Sequence, residues 1–359
     1  MKQFFFTPGP SQLYFTVESH LKQALKEQVP SISHRSDTFK DIYKHTVTGL
    51  KQLLNLNDNQ HILFTASATE VWERIGFNLI ERESFHLVNG AFSKKFKTTI
   101  DQLGKSALMA EADDGKVVDI NKLLVPESAE LISITQNETS TGASQPLDDI
   151  YSLRKAFPNQ LIAVDMVSAA PSVALDYSQV DTAYFSVQKC FGLPAGLGIW
   201  IINQRCIDKC EQLLNNGHTI GSYHSLPIML EQALKYQTPE TPNVLNIYLL
   251  GKVVEDMLNK GLDQIRREIN YKAAVLYQAF EQAAYLQPFI KSEKHRSKTT
   301  PVANSDIPSS SIIKHFTKKG IVLGAGYGKY KDDHLRIANF PTHSKEHIEM
   351  IADGLCELK

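Results

Sequence analysis

Short apolar runs alternate with helical segments between His61 and Asn203, and this alternation constrains the fold more than any other feature of the chain. The stretch HILFTASATEVWERIGFNLI is typical of a strand, a turn of small residues and a helix, and SFHLVNGAFSKKFKTTIDQLG repeats that order. Parallel strands need crossover connections, which are usually helices. The sequence therefore predicts an α/β fold with a large, mostly parallel sheet that is covered by helices on both faces.

Polar loops follow several of the predicted strands. Sheets of this kind bind ligands at the carboxyl ends of their strands, so we expect these loops to face one another across a single site. The loops are TASAT, NGAFS, QNETSTG, VDMVSAAPS and SVQK.

Breaks in the sequence divide the chain into three parts. The Pro-Gly-Pro run near the N-terminus predicts an extended arm over residues 1–16. The break QTPETPN precedes a long helical stretch and then a second, shorter run of strands and helices. We therefore predict a large domain over residues 17–245, and an inter-domain helix with a small C-terminal α/β domain over 246–359.

The charge balance, the apolar runs and the cysteines limit the partners and the cellular location that we expect. The 359 residues include 38 basic and 39 acidic side chains, a net charge of −1, so we expect no nucleic-acid partner. The apolar run at the N-terminus is too short for a signal peptide, and no stretch is long enough to span a membrane. Four cysteines without a ligand pattern indicate reduced thiols and no metal site. We expect a cytoplasmic protein.

Lys189 is the most unusual residue among the polar loops, because it follows the strand-like run DTAYFS. Lysine is almost never fully buried without a partner or a task. It could form a Schiff base with a carbonyl, or it could bind a phosphate or carboxylate. The plain alternative is a lysine that extends from a strand end into solvent.

Neighbouring loops offer what a pyridoxal phosphate site needs besides a lysine. Asp165 ends an apolar strand and could pair with the protonated pyridine nitrogen, although it could also cap a helix. Ser67, Ala68 and Thr69 open a predicted helix, where backbone N–H groups and hydroxyls bind phosphate; the same residues would suit an ordinary cap. Phe92 could cover the ring, or belong to the core.

Several segments resemble class V aminotransferases, and within that class the phosphoserine aminotransferase family. They occur in the family's order and spacing over nearly the whole chain, and they are FTPGPSQL, SISHRSDTF, NGAFS, AVDMVSA, SVQKCFGLPAGLGIW and QTPETPNVLNIY. The resemblance implies the pyridoxal-phosphate-dependent aminotransferase fold (fold type I), with a large sheet of the seven-stranded type and a small C-terminal domain. It also implies amino acid and keto acid substrates.

The resemblance implies a role for each candidate residue of the cofactor site. Lys189 would form the Schiff base, Asp165 would pair with the ring nitrogen, and Phe92 would stack on the ring, where the family usually has Trp. Thr141 would approach the phenolic oxygen of the cofactor. The remaining contacts would be to the phosphate, from Ser67, Ala68 and Gln188 of one subunit and from Gln237 and Thr238 of the neighbouring subunit, which implies a homodimer.

The resemblance also implies a substrate site, with one departure. Arg336 would bind the α-carboxylate, and His34 with Arg35 would help to bind a phosphate. The family has a further His-Arg pair shortly before the carboxylate arginine, whereas this chain reads GAGYGKYKDDHLRIAN, with Lys329, Lys331 and His334 beside Asp332 and Asp333. Acids close to a substrate dianion would lower its affinity unless they point away.

Three interpretations of function remain open at this point. The first is transamination between phosphoserine and 2-oxoglutarate in serine biosynthesis, by a ping-pong mechanism. The second is another class V reaction, such as an alanine–glyoxylate or serine–glyoxylate transamination. The third is a protein of the same fold that has lost catalysis, and the presence of Lys189 and Asp165 argues against it.

Overall fold

The computed structural model describes residues 3–358. The described strands, in chain order, are β1 Phe4–Phe6, β2 His61–Thr65, β3 Glu83–Val88, β4 Ser106–Glu111, β5 Leu131–Thr135, β6 Asn137–Glu138, β7 Ala143–Ser144, β8 Leu161–Asp165, β9 Thr182–Ser186, β10 Gly198–Ile202, β11 Leu286–Pro288, β12 Val302–Ser305, β13 Ile321–Ala325 and β14 His334–Arg336. The described α-helices are α1 Val17–Lys26, α2 Asp37–Leu54, α3 Ala68–Leu79, α4 Ala91–Gln102, α5 Leu147–Ala156, α6 Gln204–Asn215, α7 Leu226–Leu234, α8 Val244–Lys260, α9 Leu262–Gln282, α10 Ser309–Lys318 and α11 Lys345–Glu357.

A seven-stranded sheet forms the larger part of the molecule, in the order β2-β10-β9-β8-β5-β3-β4. Strand β10 is antiparallel to both of its neighbours, and the other pairs are parallel. The central strands β5 and β8 are buried along their whole length, because helices cover both faces of the sheet. The predicted fold class is confirmed.

A five-stranded sheet of order β1-β13-β14-β12-β11 forms the smaller part. Helices α9, α10 and α11 supply apolar side chains to its core, among them Phe280, Phe316 and Ile348. Strand β1 pairs in parallel with β13, so the N-terminal segment that we predicted as an arm begins as an edge strand of this sheet. The chain therefore runs from the small sheet into the large part within its first 16 residues.

Local sequence signals explain where the helices near the site begin. The Ser36 hydroxyl accepts a hydrogen bond from the Phe39 N–H at 3.2 Å, and the Ser67 hydroxyl accepts one from the Glu70 N–H at 3.1 Å. Each serine thereby satisfies a donor that the first turn of a helix leaves unpaired. In residues 3–358, no helix is both long and apolar enough to cross a membrane.

Candidate active site

A cavity of about 630 Å³ lies at the carboxyl ends of β5, β8 and β9, beside β13 and β14 of the small sheet. Eight of the residues predicted for the site border it, and they come from five separate loops or strand ends. These residues are Ser67, Ala68, Thr69, Phe92, Asp165, Gln188, Lys189 and Arg336. The loops that follow the parallel strands therefore meet, as the strand order requires.

Lys189 is buried, with 8% of its surface exposed, and its Nζ donates a hydrogen bond to the Thr139 hydroxyl at 2.9 Å. The same Nζ lies 5.2 Å from the centre of the Phe92 ring. Burial lowers the pKa of Lys189 to about 8, against the opposing attraction of Asp165. The amine therefore loses its proton at a pH much closer to neutral than an ordinary lysine does, which favours a nucleophilic role.

Asp165 is the last residue of β8 and is 5% exposed. Its Oδ1 accepts a hydrogen bond from the Val167 N–H at 2.8 Å, and the Tyr184 hydroxyl is a second partner. Burial nevertheless raises the pKa of Asp165 to about 7. A buried carboxyl that is only partly compensated favours a cationic partner in the cavity that it borders.

The first turn of α3 borders the same cavity. The Ala68 N–H donates to the Ser186 hydroxyl at 2.7 Å, and the Ser67 hydroxyl caps the helix at Glu70. Ser67 therefore both caps α3 and borders the cavity. The positive end of the helix dipole, with hydroxyls around it, makes this end of the cavity suitable for a phosphate.

Arg336 ends β14 and reaches the cavity from the small sheet. Its Nε donates to the Ala325 carbonyl at 2.7 Å, and one Nη donates to the Thr139 carbonyl at 3.2 Å. Burial lowers the pKa of Arg336 to about 10, so the guanidinium remains charged at neutral pH. Two backbone contacts thus fix a cation that can bind a carboxylate.

An aromatic pair stands beside Arg336. Tyr327 borders the cavity, and its ring lies 5.1 Å from the Phe92 ring at an interplanar angle of 41°. The Arg336 guanidinium is 5.4 Å from the centre of the Tyr327 ring, and Lys95 donates to the Tyr327 hydroxyl at 2.6 Å. The sequence analysis missed Tyr327, because tyrosine in a glycine-rich loop carries no signal of its own.

Thr141, which we predicted to approach the phenolic oxygen of the cofactor, does not border the main cavity. Its hydroxyl donates to the Asn89 carbonyl at 3.1 Å, and the residue borders a separate cavity. Thr139, two residues earlier in the same loop, borders the main cavity and contacts Lys189. The turn after Glu138, where the Gly142 N–H donates to the Glu138 carbonyl, carries Thr141 away. The loop NETSTG contains both threonines, and only its conformation distinguishes them.

Four predicted residues lie outside the cavity and close to one another. The Arg35 guanidinium donates to the Gln237 side chain at 3.1 Å and to the Pro239 carbonyl at 3.2 Å. The Thr238 hydroxyl donates to the Glu240 carbonyl at 2.7 Å. His34 is half-buried beside Arg35, and desolvation and that guanidinium lower its pKa. This chain does not bring His34, Arg35, Gln237 or Thr238 to its own cavity.

The loop over residues 324–334 separates its charged side chains. Lys331 and Tyr327 border the main cavity, whereas Lys329 is paired with Asp114 at 2.8 Å and borders the second cavity, of about 290 Å³. Asp332 and Asp333 do not border the main cavity. The acids that would repel a substrate dianion therefore lie outside the lining of this cavity.

The N-terminal segment completes the wall, which we did not predict. Thr7, Pro8 and Gly9 border the cavity, and a Cβ on Gly9 would lie 2.9 Å from Lys189 Cε. The Ser11 N–H donates to the Gln188 carbonyl at 3.2 Å, which holds the segment beside Lys189. The Pro-Gly-Pro run was visible as a chain break, but its contact with Lys189 depends on the fold.

Together these groups fit pyridoxal phosphate: a buried amine, a buried carboxyl, an aromatic ring and a helix N-terminus border one cavity. The fold and the site thus define a pyridoxal-phosphate-dependent enzyme of the α/β type. The family model for class V aminotransferases matches residues 3–329. The chain belongs to the class V aminotransferases, and it is a transaminase.

Known proteins extend this similarity over the whole chain. A solved phosphoserine aminotransferase from Cytophaga hutchinsonii ATCC 33406 is 46% identical, with a TM-score of 0.97 over 99% of this chain and 98% of that one. A curated phosphoserine aminotransferase from Rhodococcus opacus (strain B4) is 29% identical over 98% of this chain and 93% of its own length. A solved alanine–glyoxylate aminotransferase from a Nostoc species is 18% identical, with a TM-score of 0.83 over 99% of this chain and 95% of that one, and it shows the fold alone.

Proposed function

We propose that the enzyme transfers an amino group between phosphoserine and 2-oxoglutarate, with 3-phosphohydroxypyruvate as the paired keto acid, in serine biosynthesis. The observation that carries the substrate assignment is the 46% identity to a phosphoserine aminotransferase over 99% of the chain. The position of the acids in the 324–334 loop supports it, because Asp332 and Asp333 lie outside the cavity and do not oppose a phosphate there. Transamination by two half-reactions implies ping-pong kinetics.

Lys189 and Asp165 would carry the chemistry. Pyridoxal phosphate, when bound, withdraws electrons from the substrate's α-carbon and so acidifies the proton on it. Lys189, whose pKa burial lowers to about 8, is suited to accept that proton and to donate it again. Asp165 would stabilise a positive charge on the ring nitrogen of the cofactor. Its carboxyl is suited to that role because it is buried and can accept further hydrogen bonds.

Arg336 would bind the α-carboxylate of every substrate, because it is the arginine that borders the cavity and its charge persists at neutral pH. Phe92 would cover the ring, and Thr139 rather than Thr141 would be the threonine nearest to the reacting groups. Ser67, Ala68, Thr69 and Gln188 would hold the phosphate of the cofactor.

A homodimer would explain the four residues outside the cavity. Arg35 and Gln237 form one hydrogen-bonded cluster, and exposed apolar side chains such as Leu234 and Tyr236 lie beside it. We propose that this surface packs against a second copy and that its residues complete the partner's phosphate sites. The enzyme would then act in the cytoplasm as a homodimer.

The substrate assignment is tested by single-turnover absorption spectroscopy of the holoenzyme with phosphoserine, glutamate, alanine and serine. We expect the visible absorption band of the bound pyridoxal phosphate to disappear rapidly with phosphoserine and glutamate. With alanine and serine it should disappear slowly. Conversion with alanine or serine but not with phosphoserine would replace the proposed substrate with another of class V. No conversion with any amino acid would overturn catalysis by this chain.

The proposal that Arg35 serves the active site of the partner subunit is tested by mixing two inactive variants, Lys189→Ala and Arg35→Ala. If Arg35 serves the partner's site, a hybrid dimer contains one intact site and one site with both lesions. An equal mixture then regains up to about a quarter of wild-type phosphoserine activity. If Arg35 serves its own site, the mixture stays inactive.

A further inference from the structure

The main cavity contains more positive charge than the roles assigned above use. Among residues 3–358, the basic side chains that border it are Lys189, Lys331 and Arg336, and the acidic one is Asp165. Lys189 and Asp165 would face the proposed cofactor, and Arg336 is fixed by the backbone carbonyls of Ala325 and Thr139. Lys331 is thus the basic residue at the cavity that no assigned group requires.

The ammonium group of Lys331 is also free to bind an anion. It is exposed, and no ion pair or hydrogen bond involves its ammonium within the described part of the chain. Its backbone, in contrast, is anchored: the Lys331 N–H donates to the Gly328 carbonyl at 3.2 Å, and the Ser309 hydroxyl donates to the Lys331 carbonyl at 3.1 Å. A fixed backbone with a free ammonium at a cavity mouth suits a point-charge contact with an anion.

The other basic side chains of this loop and its surroundings are already engaged. Lys329 is paired with Asp114, and Lys95 donates to the Tyr327 hydroxyl. His334 is 2% exposed and stacks on Tyr330 with ring centres 4.2 Å apart, and burial lowers its pKa to about 4. His334 is therefore neutral at physiological pH and cannot replace a cation.

From this arrangement we propose that Lys331 is a specificity-determining residue, and that its ammonium binds the second anionic group of the substrate at the mouth of the cavity. The group is the phosphate when the substrate is phosphoserine, and the distal carboxylate when it is glutamate. The inference rests on the proposed function, because it deepens the assignment of substrates with two anionic ends. Tyr327 and Arg336 border the same cavity, with the Arg336 guanidinium 5.4 Å from the centre of the Tyr327 ring.

The test compares Lys331→Gln with the matched control Lys329→Gln, which removes a lysine two residues away that borders the second cavity. For Lys331→Gln, we expect KM for phosphoserine to rise about 10- to 50-fold, with kcat within about twofold. KM for glutamate, whose distal group has a smaller charge, should rise less, and KM for alanine should not change. Lys331→Arg should restore phosphoserine affinity to within about threefold, since the charge is kept.

Inorganic phosphate separates this proposal from the proposed function. It is expected to inhibit the holoenzyme competitively, with an inhibition constant that rises at least about fivefold in Lys331→Gln and stays unchanged in Lys329→Gln. An unchanged constant in Lys331→Gln, or equal changes in both variants, would overturn the role of Lys331. Failure of the wild-type enzyme to convert phosphoserine would instead overturn the proposed function, and the phosphate and glutamate measurements would still decide the role of Lys331.

Discussion

Gly9 lies against the aliphatic chain of Lys189, although the two residues are 180 positions apart. A Cβ on Gly9 would lie 2.9 Å from Lys189 Cε and 3.1 Å from its Cγ, and the residue has a φ of +133° that only glycine adopts freely. Pro8, the preceding residue, packs on Gly324 beside Arg336, where a Cβ would lie 2.6 Å from Pro8 Cδ. The N-terminal segment thus packs against Lys189 through Gly9 and against strand β13 of the small sheet through Pro8.

Gly9→Ala should displace Lys189 without removing any functional group. We expect kcat to fall about 10- to 100-fold and the absorption spectrum of the holoenzyme to change, because the added methyl group forces the lysine chain to move. Gly217→Ala is the matched control: Gly217 has a φ of +80° and open space around it, so it adds backbone strain of about 1–2 kcal/mol without a contact. If both variants only lower Tm, the contact with Lys189 has no catalytic consequence.

Lys189→Ala should abolish the visible absorption of bound pyridoxal phosphate and lower transamination by at least about 10³-fold. The fold should survive, since the alanine removes a buried amine whose desolvation opposes folding. Circular dichroism and absorption spectra of the purified variant measure both effects. Transamination at near wild-type rates would show that another group does the work assigned to Lys189.

Thr139→Ala should lower the pKa of Lys189 further, because the Thr139 hydroxyl accepts a hydrogen bond from Nζ and such a bond is stronger to an ammonium. The readout is the rate at which cofactor-free enzyme binds pyridoxal phosphate as a function of pH. Its midpoint, expected near pH 8 in the wild type, should move to lower pH. Thr141→Ala should leave the midpoint in place and cost about 1 kcal/mol of stability, from its lost hydrogen bond to Asn89. Equal midpoints in all three proteins would argue against the contact.

Asp165→Asn should change how the stability of the cofactor-free enzyme depends on pH. Burial raises the pKa of Asp165 from 3.8 to about 7, so the folded state binds a proton that the unfolded state has lost between these pH values. The free energy of unfolding of the wild type therefore falls as pH rises from about 4 to 7, by about 4 kcal/mol from this group. Asparagine does not titrate, so the free energy of unfolding of the variant, relative to that of the wild type, should rise over that pH range. The variant should also lose activity. The measurement is urea unfolding of both proteins at pH 5 and pH 8. The same difference in unfolding free energy between variant and wild type at both pH values would contradict this prediction.

His224→Gln should destabilise the enzyme at neutral pH. His224 lies 2.5 Å from Glu70 and 3.1 Å from Glu240, and Glu240 and Glu70 raise its pKa from 6.5 to about 9. A raised pKa contributes stability that is complete below about pH 6.5 and lost as pH rises through 9, about 3 kcal/mol at most.

Unfolding free energies of His224→Gln and wild type, measured between pH 6 and 10, should therefore converge at the alkaline end. His218→Gln is the control, because the His218 imidazole is 43% exposed and its ion pair with Glu81 contributes little. A constant difference across this pH range would mean that His224 acts through packing rather than through its charge.

The sequence by itself determined the large sheet and the residues at its carboxyl edge. Strands β5 and β8 could be predicted because a fully buried parallel strand must be apolar along its whole length, and such a run is visible locally. Asp165 and Lys189 then had to meet, since each ends or follows a strand of one parallel sheet. The class of enzyme was predicted from these two residues together with the segments that resemble class V aminotransferases.

Only the tertiary structure decided which of several similar residues faces the cavity. Thr139 and Thr141 lie two positions apart in one loop, as do Lys329 and Lys331 in another, and composition does not separate the members of either pair. Loop conformation is set by hydrogen bonds to distant segments, such as that from Ser309 to Lys331. The packing of Gly9 on Lys189 likewise needs the first strand to join the small sheet, a pairing across more than 300 residues that leaves no periodic signal in the sequence.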